Sequence, residues 1–121
     1  GSLTTAHANT PRDLISRLEV MVMMTGMELP VQAIREMVAS AVDLVVQQTR
    51  FSDGSRKVVN ITEITGVESG VVQMQDIFRF QQKGFDAEGR VAGEFQTTGR
   101  IPEFYEELRS RGLKVDMSIF Q

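Results

Sequence analysis

The chain has 121 residues, 41% of them hydrophobic and 24% charged, enough for one modest domain with one core and too apolar for a disordered tail. A formal net charge of −3 supplies no basic bulk for nucleic acid or an anionic membrane. The absence of cysteine excludes a disulfide framework and thiolate metal sites, and fits a reducing cytoplasm.

The first element follows "LTTAHANT". Thr10 and Pro11 read as N-cap and N1, with Asp13 in the place of a capping-box acid. The helix is expected to run to about Met24 and to stop at Thr25-Gly26. Leu14, Leu18, Met21 and Val22 form its buried stripe, and Asp13 and Arg17 are spaced for a surface pair. Arg17 and Glu19 are expected in surface or inter-helix pairs. Gly1-Ser2 has the composition of a cloning scar. The densest apolar run, VMVMM at 20–24, is too short for a signal peptide or a membrane span. The methionines Met21, Met23, Met24 and Met27 suit packed helix faces better than an adaptable binding patch.

After the loop "GMEL", Pro30 opens a second helix over 30–42, with Val31, Ile34, Val38 and Val42 as its stripe. So short a connection favours an antiparallel pair. From Asp43 the texture becomes β. "DLVVQQTRF", "KVVNITEITG", "VVQMQDIFRFQQ" and "RVAGEFQT" are separated by the turns "SDGS", "VESG" and "DAEG". Val72, Met74, Phe78 and Phe80 share one face at period two, and Asp76 interrupts it, so Asp76 needs a partner or an edge. In the last strand Val91 and Phe95 alternate with Arg90 and Glu94. Pro102 opens a final helix to about Arg111, closed by Gly112, with Phe104 and Leu108 as its buried pair. The fold class expected is therefore α+β: a helical hairpin, a four-stranded antiparallel meander near 43–97 and a C-terminal helix, forming a single domain over residues 1–121.

Chemistry is sparse. The sequence holds no G-x-x-x-x-G-K-[ST] phosphate loop, no defensible Ser-His-Asp set and no metal-ligand spacing. Its one histidine, His7, lies four residues before Pro11. An imidazole near a helix start can donate to a phosphate oxygen, with Thr4 and Thr5 adding hydroxyls; the plain alternative is a solvent-facing loop residue. Arg50, Arg56 and Lys57 flank "SDGS" and suit either a subunit interface or a solvated face.

"GSLTTAHANTPRDLISRLEVMV" resembles the His-box segment of the type II/type IV secretion ATPases, and more narrowly the CpaF/TadA-type ATPases of tight-adherence (Flp) pilus systems. "LPVQAIREMVASAVDLVVQQTRFSDGSRKVVNITEITG" resembles the helix and hairpin that follow in that family. "VQMQDIFRF", "GRVAGEF" and "TTGRIPEFYEEL" resemble its carboxy-terminal extension, in order, so the resemblance spans nearly the whole chain. Met37 departs from the glutamine expected in "IREQIA". The resemblance implies the carboxy-terminal part of a RecA-like P-loop motor, beginning at the His box, with Walker A and Walker B absent. It implies a cytoplasmic homo-hexamer docked on inner-membrane platform proteins, using ATP and Mg²⁺ to drive pilus assembly or secretion. His7 becomes the catalytic His-box residue facing the γ-phosphate, with Thr5 in support. No cofactor, nucleic acid or membrane insertion is expected of the isolated piece, nor ATP hydrolysis by it alone. The alternative is a freestanding module that binds a partner or dimerises. Upstream sequence separates the two: a Walker A motif before residue 1 favours the motor, a native start near Leu3 the module.

Overall fold

The computed structural model describes residues 3–26 and 28–121; Gly1, Ser2 and Met27 fall outside them, and with them the readings placed on those residues. The elements run α1 (Pro11–Met23), α2 (Val31–Ala41), β1 (Leu44–Arg50), β2 (Arg56–Glu68), β3 (Val71–Phe85), β4 (Val91–Thr97) and α3 (Glu103–Ser110), then a short 3-10 turn (Ser118–Phe120). This is a small α+β domain whose four strands form an open antiparallel sheet in the order β1-β2-β3-β4.

The helix ends follow their local chemistry. Thr10 caps α1 by accepting the Asp13 N–H at 3.0 Å, and Asp13 in turn accepts the Asn9 N–H at 3.2 Å. That use of Asp13 displaces the expected pair with Arg17, which does not form. Helix α3 closes as a Schellman motif: Gly112, at φ 84°, donates to the Arg109 carbonyl and Leu113 to that of Leu108.

Helices α1 and α2 pack on each other and on the sheet. Ile15, Ile34, Val38, Val45, Ile64 and Val72 form the core between them, edged by Leu14, Leu18, Val22, Val42 and Met74. Ile15 replaces Met21 as the buried centre of α1, since Met21 is 59% exposed. Val31 is likewise exposed, and α2 buries Ile34 and Val38 instead. Glu19 does reach across the helix pair, to Arg35 at 3.3 Å.

The strands differ from simple alternation in one decisive place. Asp76 pairs with Thr62 while Phe78 pairs with Ile61, so β3 carries one extra residue, Ile77, opposite adjacent β2 residues. Neighbouring β2 residues face opposite sides of the sheet, so their partners Asp76 and Phe78 do too. The face expected to hold Val72, Met74, Phe78 and Phe80 is thereby split. Val72 and Met74 join the helix-side core, whereas Phe78 stacks on Phe95 at 5.8 Å and meets Phe120 at 5.8 Å on the other side. Ile77 itself is 1% exposed.

The second side is covered by α3 and the C-terminal turn. Tyr105 meets Phe120 edge-on at 4.7 Å and Phe104 at 5.2 Å. The expected buried pair of α3 does not form. Phe104 is 38% exposed and no α3 residue is fully buried; Tyr105 and Leu108 are the more covered, half-buried ones. Phe95, expected inside, keeps one side of its ring in solvent.

Candidate functional site

His7 and Thr5 both lie in the extended segment before α1, exposed, and neither side chain has a hydrogen-bond partner among the described residues. The segment is tied down one residue later, where Gln47 of β1 donates Nε2–H to the Ala8 carbonyl at 3.0 Å. The imidazole is therefore exposed one residue before a chain position held to β1, near the start of α1.

Arg50 and Arg56 are direct cross-strand partners at the far end of the β1–β2 hairpin, both exposed. Like charges in that register repel. Lys57 is half-buried and sets its ammonium 6.0 Å from the centre of the Phe80 ring. Arg50 lies three residues along β1 from Gln47, roughly 10 Å, and among the described residues no hydrogen bond or ion pair joins this basic pair to the His7 segment.

A cleft of about 450 Å³ does open beside the start of α1. Its floor is polar and is built by the β3 irregularity. Because Ile77 is extra, Asp76 and Arg79 come to the same side of the strand, with Arg79 Nη2 3.7 Å from Asp76 Oδ2. Thr62, fully buried, donates its hydroxyl to Asp76 Oδ1 at 2.7 Å, and Asn60 Nδ2 stands 3.5 Å from Oδ2. Asp76 thus has the partners that its position inside a central strand demands. Thr98, past the end of β4, donates its hydroxyl to the Asp76 carbonyl at 2.6 Å, and its backbone N–H donates to the Ile77 carbonyl at 3.1 Å. The same hydroxyl accepts the Arg100 N–H at 3.3 Å. This clamp satisfies the carbonyls that the irregular strand leaves over and brings Arg100 to the rim of the cleft. Arg12 also lines the cleft, while its Nη2–H is donated to the Val72 carbonyl at 3.0 Å.

The cleft's charged lining is three arginines and one carboxylate, and its side chains include no nucleophile paired with a base. Sequence reasoning singles out Asp76 but not Arg12, Arg79 or Arg100. Their convergence depends on one extra residue in β3, which period-two reading hides. No family model matches the chain, and no curated protein matches it either.

Proposed function

We propose that this chain is the carboxy-terminal portion of a secretion or pilus-assembly ATPase of the CpaF/TadA type, in which His7 meets the γ-phosphate end of the substrate ATP with Thr5 beside it. The observation that carries the reading is the ordered resemblance of the His-box, hairpin and C-terminal segments along nearly the whole sequence. Supporting it, the His7 imidazole is exposed on a segment tied to β1 by Gln47, at the start of a capped helix. In this reading the motor is a cytoplasmic hexamer acting with inner-membrane platform proteins. His7 and Thr5 alone make no nucleotide pocket, since both lie open on extended chain, and no residue here is assigned to Mg²⁺. The chain is therefore expected not to hydrolyse ATP by itself.

A donor placed where charge gathers in phosphoryl transfer acts on turnover rather than on ground-state binding. In the assembled motor, His7→Ala is expected to lower kcat about a hundredfold, roughly 3 kcal/mol, with KM for ATP little changed. His7→Gln keeps a donor of similar reach; partial rescue points to hydrogen bonding, none to charge or shape. Near-normal ATPase and pilus assembly in His7→Ala would leave His7 a plain loop residue.

A second reading has its own observation. Val20, Met21, Met23 and Met24 of the α1 end and Met37 of α2 are all exposed, an apolar surface of the kind that binding modules use. Sedimentation of the isolated chain as a dimer that Met21→Glu dissociates would favour that module.

A further inference from the structure

We propose that the cleft between Arg12, Arg79 and Arg100 is a binding site for a polyphosphate group. The chain carries a net charge of −3, yet three arginines line this cleft beside the one carboxylate of Asp76. Asp76 is occupied from within: Thr62 holds Oδ1 at 2.7 Å, while Asn60 and Arg79 stand at 3.5 and 3.7 Å from Oδ2. Arg79 is consequently under-used by the protein, its one ion pair being long. Arg100 has no side-chain partner among the described residues, and Arg12 spends one N–H on the Val72 carbonyl. A guanidinium has five N–H donors in a planar fork that fits phosphate oxygens two at a time. The forks of Arg79 and Arg100, with Arg12 beside them on a space of about 450 Å³, suit oxygens carried on more than one phosphorus; a single carboxylate would engage one fork. The anion would also meet the Asp76 carboxylate, which Thr62 holds by one oxygen and Arg79 faces at the other.

The inference rests on these side chains alone and is independent of the motor reading. Arg50 and Arg56 supply an internal control, because they place paired positive charge on an exposed hairpin end and do not line the cleft.

The test titrates the isotope-labelled 121-residue chain with inorganic pyrophosphate and, separately, with ADP, following backbone amide shifts. Saturable shifts centred on the start of α1, Asp76–Arg79 and Thr98–Ile101 are expected. Arg79→Gln with Arg100→Gln is expected to weaken binding roughly tenfold or more, and Arg50→Gln with Arg56→Gln less than about twofold. Tighter binding of ADP than of pyrophosphate identifies a nucleotide as the source, and equal binding a free polyphosphate; both support the site. Non-saturating shifts, or equal weakening by the hairpin pair, would overturn it as general charge attraction. Arg79 and Arg100 are both largely exposed, and amide dispersion away from the cleft reports whether the double variant stays folded. Should the pair unfold, Arg100→Gln alone serves in its place, at a residue without a side-chain partner: weakened binding supports the site, and unchanged binding overturns it. A failed titration would leave the His7 experiment standing, since that one reads turnover of the assembled motor.

Discussion

At the scale of single residues, the least expected placement is Glu63. It lies on a central strand and is only 4% exposed. One carboxylate oxygen, Oε1, accepts from Gln75 Nε2 at 2.7 Å and from the Glu103 N–H at 3.0 Å. Glu103 is the first residue of α3, and Pro102 before it provides no side-chain cap. Glu63 therefore caps a helix forty residues further along the chain, placing an anion where free N–H groups gather. Glu63→Ala leaves the Gln75 amide and the Glu103 N–H without their acceptor, which is expected to cost about 1–3 kcal/mol. Urea denaturation measures the loss. Hydrogen exchange should show the Glu103–Ser110 amides opening before those of α2; uniform acceleration across the chain would mean Glu63 does no more than fill space. Nothing in the sequence marks this role. Glu63 sits among β-branched neighbours like any strand residue facing water, and its partners come from two distant segments.

At the scale of elements, whatever is decided locally is legible in the sequence. The caps at Thr10 and Gly112 and the three turns are each decided within about five residues, and the helices and strands fall close to their expected limits. The faces of the strands are not legible, because β-irregularities depend on which partner residue is skipped. Ile77 in β3 turns Phe78 away from Val72, and no single-strand pattern carries that information. The buried stripe of α1 differs from expectation for a related reason. Helical spacing fits more than one overlapping stripe, and the sheet selects the one containing Ile15. The β3–β4 pair gives a direct check on packing. A methyl at Gly93 would stand 2.4 Å from the Gln81 carbonyl oxygen and 2.6 Å from the Phe80 ring. The constraint is space rather than backbone angle, so Gly93→Ala is expected to destabilise by about 1–3 kcal/mol, seen as a lower denaturation midpoint with unchanged slope. An unaltered midpoint would show that the Gln81 backbone and the Phe80 ring both give way without cost.

At the scale of the whole molecule, the outer strands are tied together at one end. Asp53 in the β1–β2 turn accepts the Ser55 hydroxyl and N–H through Oδ1 and, through Oδ2, the Val91 N–H of β4 at 2.7 Å. These bonds, the Ser55 hydroxyl foremost, hold its carboxyl down from 3.8 to about 2. The sign follows directly. A carboxyl with a lowered folded pKa adds stability that is fully present above its unfolded value and is lost as pH falls through the folded one. Asp53→Ala is therefore expected to be less stable than the parent at neutral pH. The gap should narrow as pH drops from about 4 to about 2. A gap independent of pH would assign the loss to the turn's shape rather than to its charge. No helix among the described residues is long and apolar enough to cross a membrane. The motor reading concerns the exposed imidazole, and the arginine cleft stands apart from it.

The division of the sheet into an aliphatic side and an aromatic side has a practical consequence. The chain has no tryptophan and one tyrosine, and that tyrosine, Tyr105, sits against Phe120 on the aromatic side. Intrinsic fluorescence is therefore a gauge of one layer only. It reports whether α3 and the terminal turn are seated, while far-ultraviolet ellipticity, dominated by α1 and α2, reports the other. A pair of optical signals that every laboratory can record thus separates undocking of the C-terminal layer from melting of the domain, without a label or an engineered probe.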